Sequence, residues 1–201
     1  QAQIAAQDKS QLPTPSNQGN DATVQAPGGG ASAPGVKPEV LTAQKRAEAL
    51  KSAPRVGIES PTLVGSISLV GARLDDLVLK QYGQTVEVNS ERIHLLHPSG
   101  APKSYFAEFG WVGGSDSPNL PGPTTIWSSD GKQLTPGQPV TLSWDNGAGL
   151  KFERTYSLDE GYMVTVTQKV INTGKTPTAL FPYGLIARSG TPDTLGFYIL
   201  H

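Results

Sequence analysis

Apolar and polar positions alternate with period two through much of the second half of the chain. Over 150–157, Leu150, Phe152, Arg154 and Tyr156 fall on one side and Lys151, Glu153, Thr155 and Ser157 on the other, which is the pattern of a half-buried strand. Asp159-Glu160-Gly161 then supplies a hairpin turn, after which Tyr162, Val164, Val166 and Val170 alternate with Met163, Thr165, Thr167 and Lys169. These two runs are predicted to pair antiparallel. Upstream, the segment Gln138 to Trp144 leads into the first of them through Asp145-Asn146-Gly147-Ala148-Gly149, an Asn-Gly turn, so the three form a meander. Further strands are predicted near 56–60, 64–70, 74–80, 93–97, 104–109, 124–128, 178–187 and 195–200. Many short strands with turn signals between them imply a mostly β chain, an antiparallel sandwich of two sheets rather than a series of βαβ units. Between Gly110 and Pro123 the chain is rich in Gly, Ser and Pro and carries no strand pattern, so it is read as a long loop.

The first 55 residues follow no such pattern. Every aromatic residue lies at Tyr82 or later, and residues 1–55 are built largely from Gln, Ala, Ser, Pro and Gly. So little apolar surface cannot offset roughly 1–2 kcal/mol of backbone entropy per residue, so the segment is predicted to be a disordered, flexible linker. One stretch in it, 38–51, has good helix formers, a Pro at its start and Lys51 at its end. It could form a short helix, although one of that length is marginal in water on its own. Residues 56–201 are then the folded domain. Its last residues, Gly196 to His201, read as a strand in full course, so the domain is expected to continue in a longer protein.

Composition narrows the function classes. The 23 Gly and 17 Pro fit a β protein with many turns. A net charge of -1 gives no basic surface for nucleic acid. With no Cys there is no disulfide framework, thiolate metal site or thiol nucleophile. No run approaches the ~20 apolar residues that span a bilayer, so any membrane anchor is expected outside this segment.

Candidate chemistry is sparse. His94 and His97 are three apart, which on a regular strand puts them on opposite faces and argues against a shared metal. Asp75 and Asp76 are adjacent and, by the same rule, separated across the sheet. Asn146-Gly147-Ala148-Gly149 has Phe152 where a dinucleotide fingerprint needs its next glycine, and no helix is predicted after it. Trp144 alternates with Val140 and Leu142 and is assigned to the core. Trp111, in the Gly-rich loop, is the candidate for an exposed partner or ligand surface. No catalytic, cofactor-binding or metal-binding residues are expected.

From about Arg55 onward the chain resembles the periplasmic domain of the YidC membrane-protein insertases, within the Oxa/Alb/YidC family. The resemblance is carried by Gly65-Ser-Ile-Ser-Leu-Val-Gly-Ala-Arg-Leu-Asp-Asp-Leu-Val-Leu-Lys80, Leu134-Thr-Pro-Gly-Gln-Pro-Val-Thr-Leu-Ser-Trp-Asp-Asn-Gly147, Leu150-Lys-Phe-Glu-Arg-Thr-Tyr156 and Pro182-Tyr-Gly-Leu-Ile-Ala-Arg-Ser-Gly190. It implies a β-supersandwich of the galactose-mutarotase type, on the periplasmic face of the Gram-negative inner membrane. The parent would be a multi-pass protein that inserts and folds membrane proteins, alone or with the Sec translocon. Implied partners are Sec translocon components and nascent membrane proteins, and no cofactor is implied. The family's key arginine lies among transmembrane helices, so neither Arg154 nor Arg188 inherits that role. The mutarotase relationship supplies the alternative, a carbohydrate-binding or sugar-modifying sandwich using Trp111. Mutarotases, however, use histidines and a carboxylate around the sugar, a set that His94 and His97 on opposite faces would not provide.

Overall fold

The computed structural model describes residues 38–114 and 119–191. The predicted strand 195–200, the tail up to 37 and the centre of the long loop at 115–118 lie outside the described residues. Helix α1 (Pro38–Lys51) leads into β1 (Arg55–Glu59), β2 (Leu63–Ser68), β3 (Arg73–Gly83), β4 (Arg92–Leu96) and β5 (Tyr105–Gly113). After the short β6 (Ser128–Ser129) and β7 (Gln133–Leu134) come β8 (Val140–Asp145), β9 (Leu150–Leu158), β10 (Val164–Asn172) and β11 (Leu180–Arg188). One sheet runs β11-β5-β3-β2-β1-β7, with β4 also on β3, and the other runs β10-β9-β8-β6. Neighbours are antiparallel, save the short parallel pairing of β1 with β7. Among the described residues no helix is long and apolar enough to cross a membrane.

The meander β8-β9-β10 forms where the alternation placed it. Its first turn is closed by side chains: the Asp145 carboxylate accepts from the Gly147 amide at 2.7 Å, and Asn146 Oδ1 accepts from Ala148 and Leu150 at 2.8 and 3.0 Å. Gly147 and Gly149 supply the positive φ values, 69° and 93°, that this turn requires. Along β9 every second residue, Leu150, Phe152, Arg154, Tyr156 and Leu158, is buried. That row faces Val56, Ile58, Ile67 and Leu74 of the larger sheet, and together they form the sandwich core.

The structure departs from two of the expectations and adds one pairing that none of them covered. No strand covers 124–128: Ile126 makes one isolated bridge to Val70, and only Ser128–Ser129 pairs regularly, with β8. The pairing of Gln133–Leu134 with β1 leaves no mark in the sequence, because two residues carry no periodicity. The stretch read as a loop from Gly110 belongs to β5 as far as Gly113, paired residue for residue with β11. Gly110 is a strand glycine because the Tyr183 ring lies across it, where an added Cβ would sit 2.6 Å from ring atoms.

Three register shifts interrupt the described part of the larger sheet, one between β2 and β3 and two between β3 and β4, and two of them shape the site. Ser66 pairs with Asp76 and Ile67 with Leu74, leaving Asp75 as an extra residue in β3. Leu77 pairs with Leu96 and Val78 with His94, leaving Leu95 extra in β4. Each bulge shifts the phase of the side chains beyond it.

Candidate functional site

The first bulge places both adjacent aspartates in one network instead of across the sheet from each other. Arg55 Nε donates to Ser66 Oγ at 2.7 Å and its guanidinium also bonds Asp75, while Ser66 Oγ donates to Asp76 at 2.7 Å. Arg46 of α1 bonds the other oxygen of Asp76. Each carboxylate therefore has its own arginine. Burial still pushes the Asp75 carboxyl above its ordinary value, against the pull of Arg55. Through Arg46 the helix is fixed to the β3 face, so it does not depend on its own marginal stability.

The second bulge corrects the expectation for the histidines. With Leu95 extra, His94 and His97 lie on the same side, and their ring centroids are 5.7 Å apart. They line a cavity of about 610 Å³ whose other wall is Thr42, Ala43 and Arg46 of α1, with Glu91 and Lys103 completing it. His94 Nε2 lies 3.7 Å from Glu91. A smaller adjoining cavity shares His94 and His97 and adds Arg188. Among the described residues, no group of three or more His, Asp and Glu could hold a metal ion.

Burial holds both imidazoles below the usual 6.5, and Arg46 lowers them further. Glu91 and Asp76 oppose this at His94, and at His97 the charges of His94 and Arg188 add to it while Asp76 opposes. The folded chain thus prefers neutral imidazoles. The stability they contribute is complete above about pH 6.5 and is lost as pH falls through the lowered folded-state values. We expect the urea midpoint to fall between about pH 7.5 and about pH 5. The His94→Gln/His97→Gln double variant should fall less steeply, and an equal slope would remove the histidines as its cause.

Inside the sandwich the structure corrects Trp111. It is a β5 residue, 7% exposed, not an exposed platform in a loop. Its ring meets Phe152 edge-on at 5.0 Å and stacks on Trp127 at 6.4 Å. Trp144, assigned to the core, is partly buried and packs on Phe152 with centroids 5.8 Å apart. The alternation puts Arg154 on the buried side without showing what it touches. Only 1% exposed, it has its guanidinium 5.0 Å from the Trp127 ring, 5.6 Å from Trp111 and 5.8 Å from Phe109. It donates to the carbonyls of Ala72, at 2.8 Å, and Phe109. These two carbonyls and three rings stand in for a carboxylate.

On the surface, apolar side chains gather at the β11 margin of the larger sheet. Phe181 is 64% exposed and pairs with the exposed Val112, while Leu185 and Ile186 (70% exposed) lie farther along β11. Among the described residues β11 ends one sheet and β10 ends the other. Unlike Trp111, this margin offers aliphatic and aromatic groups to a partner, beside a strand edge able to form backbone hydrogen bonds.

Known proteins are similar to this chain in sequence. The family model for the YidC periplasmic domain matches residues 55–201. A membrane protein insertase YidC from Methylobacterium radiotolerans is 47% identical over 210 residues, covering 100% of this chain and 33% of that protein. The Methylobacterium nodulans YidC is 51% identical over 156 residues, 78% of this chain and 26% of the relative. For the Paracoccus denitrificans YidC the figures are 42% over 217 residues, 94% and 34%. The chain thus spans about a third of the length of the curated relatives it matches.

Proposed function

Since the chain belongs to the YidC periplasmic-domain family, we propose that it is a non-catalytic, partner-binding domain on the periplasmic side of an inner-membrane insertase. Its parent inserts and folds membrane proteins, alone or with the Sec translocon. The observation that carries the partner-binding reading is the apolar margin Val112, Phe181, Leu185 and Ile186 beside the β11 edge. Such an edge suits an extended apolar segment of an emerging membrane protein: backbone hydrogen bonds give affinity without sequence preference, and apolar side chains cover the margin. The sugar-binding alternative loses its exposed platform, because Trp111 is buried in the core.

Photo-crosslinking in the intact insertase tests this reading. With a benzophenone amino acid at position 181 or 186, adducts to a stalled nascent membrane protein are expected. A probe at Thr165, an exposed polar position on β10, should give few. Equal yields from all three positions, or adducts at 181 and 186 only to Sec components or to the insertase itself, would overturn the assignment of this margin to nascent chains.

A further inference from the structure

The cavity between α1 and β4 gathers nitrogen donors with few acceptors. Arg46 Nε, His94 Nδ1 and His97 Nδ1 are all buried and have no hydrogen-bond partner among the described residues. Pairing of most buried polar atoms is the rule, so three such nitrogens on side chains lining one cavity are unusual. They belong to side chains close enough for Arg46 to act on both imidazoles, and His97 also feels Arg188. Two carboxylates act on the pair, Asp76 and Glu91. Asp76 already accepts from Arg46 and Ser66, and Glu91 lies 3.7 Å from His94, beyond an ordinary hydrogen bond. A divalent cation is disfavoured, since the guanidinium lies beside both imidazoles and no third ligand joins them among the described residues.

We propose that this cavity binds the phosphate group of a phosphate-bearing ligand. An oxyanion can accept from Arg46 Nε and from both imidazole Nδ1 groups, with Arg188 adding charge from the β11 side. At about 610 Å³ the cavity is far larger than a phosphate, and Ile93 and Ala43 supply apolar wall for whatever carries it. Two sources share this chemistry, a soluble phosphate ester and a phospholipid headgroup. The proposal does not rest on the insertase reading.

Binding should draw protons onto the histidines, because a bound anion favours their charged forms. Affinity should therefore rise as pH falls, by up to about tenfold per pH unit for each proton taken up. The test is histidine Cε1–H NMR on the full chain, titrated with inorganic phosphate and separately with dihexanoyl phosphatidylglycerol, against chloride at equal ionic strength. Saturable shifts at His94 and His97, assigned with His94→Gln and His97→Gln, are expected in at least one arm. Saturation with inorganic phosphate identifies a soluble phosphate, and saturation with the lipid alone identifies a headgroup. Arg46→Met should weaken binding about tenfold or more. Because that variant also loosens α1, Arg188→Met serves as the second: it leaves the Arg46–Asp76 pair in place and should weaken binding by a smaller factor. Shifts that stay linear and match chloride in both arms would overturn the proposal. So would unchanged affinity in both arginine variants.

Discussion

Arg154→Ala is expected to destabilise the domain by about 3–5 kcal/mol, a large part of the whole stability of an ordinary domain. Three losses add up. Truncation empties a large, fully buried volume beside Trp111, Trp127 and Phe109, and the surroundings can only partly collapse into it. The part-buried Phe109 carbonyl loses its guanidinium donor. The Ala72 carbonyl keeps only Tyr156 Oη, at 2.8 Å, although Ala72 has a φ of 49° that a non-glycine residue holds only when its surroundings enforce it. The charge itself is a separate matter, because a buried cation without a carboxylate bears a desolvation cost that rings and carbonyls offset only in part. Arg154→Met, which fills much of the volume and carries no charge, should therefore cost about 1–2 kcal/mol. Arg154→Lys should cost more than Met, since one ammonium cannot span both carbonyls and stack on the rings. Urea unfolding followed by tryptophan fluorescence gives the ranking. If Ala proves no worse than Met, the emptied volume is not what makes the truncation costly.

The same residue shows how far the sequence can be read. Period two puts Arg154 among Leu150, Phe152 and Tyr156, facing inward, and it is there. What it touches cannot be read, since its acceptors are 82 and 45 positions away. The two-sheet class is legible for the same reason, because alternation along β8, β9 and β10 reports which face is buried. Alternation fails wherever a residue is inserted. One extra residue at Leu95 brings His94 and His97 together, and one at Asp75 brings two carboxylates into one network. Trp111 escapes the pattern because Gly110, Gly113 and Gly114 look like a loop, whereas Gly110 only makes room for the Tyr183 ring. The candidate anion cavity is illegible on both counts. It needs the bulge, and it needs α1, whose thin apolar side gives no sign that Arg46 would fix it to Asp76.

The bulge at Asp75 also locates the second large effect, at Gly65. A Cβ added there would lie 2.0 Å from the Asp76 carbonyl oxygen and 2.8 Å from its carbon. Both are backbone atoms of the neighbouring strand, so no side-chain rotation relieves the contact. Either β2 and β3 separate, or their pairing slips. A slip by one residue would turn the buried Leu63 and Ile67 outward, so separation near the bulge is the milder outcome. Gly65→Ala is therefore expected to cost more than about 4 kcal/mol and to leave the domain partly unfolded at ordinary temperature. Gly57→Ala, in the adjacent strand with nothing closer than 3.7 Å, should stay within about 1 kcal/mol of the parent. Thermal unfolding of the pair isolates the close approach from the general effect of losing a glycine. The consequences should reach the cavity as well. Ser66, next in the chain, joins Arg55 to Asp76, and Asp76 holds Arg46, so separating β2 from β3 loosens the α1 wall. In whatever fraction of Gly65→Ala remains folded, His94 and His97 should titrate closer to the ordinary 6.5, because the burial and the guanidinium that lower them are both reduced. A Gly65→Ala domain with the parent's midpoint and unchanged histidine titration would show that the two strands do not approach this closely.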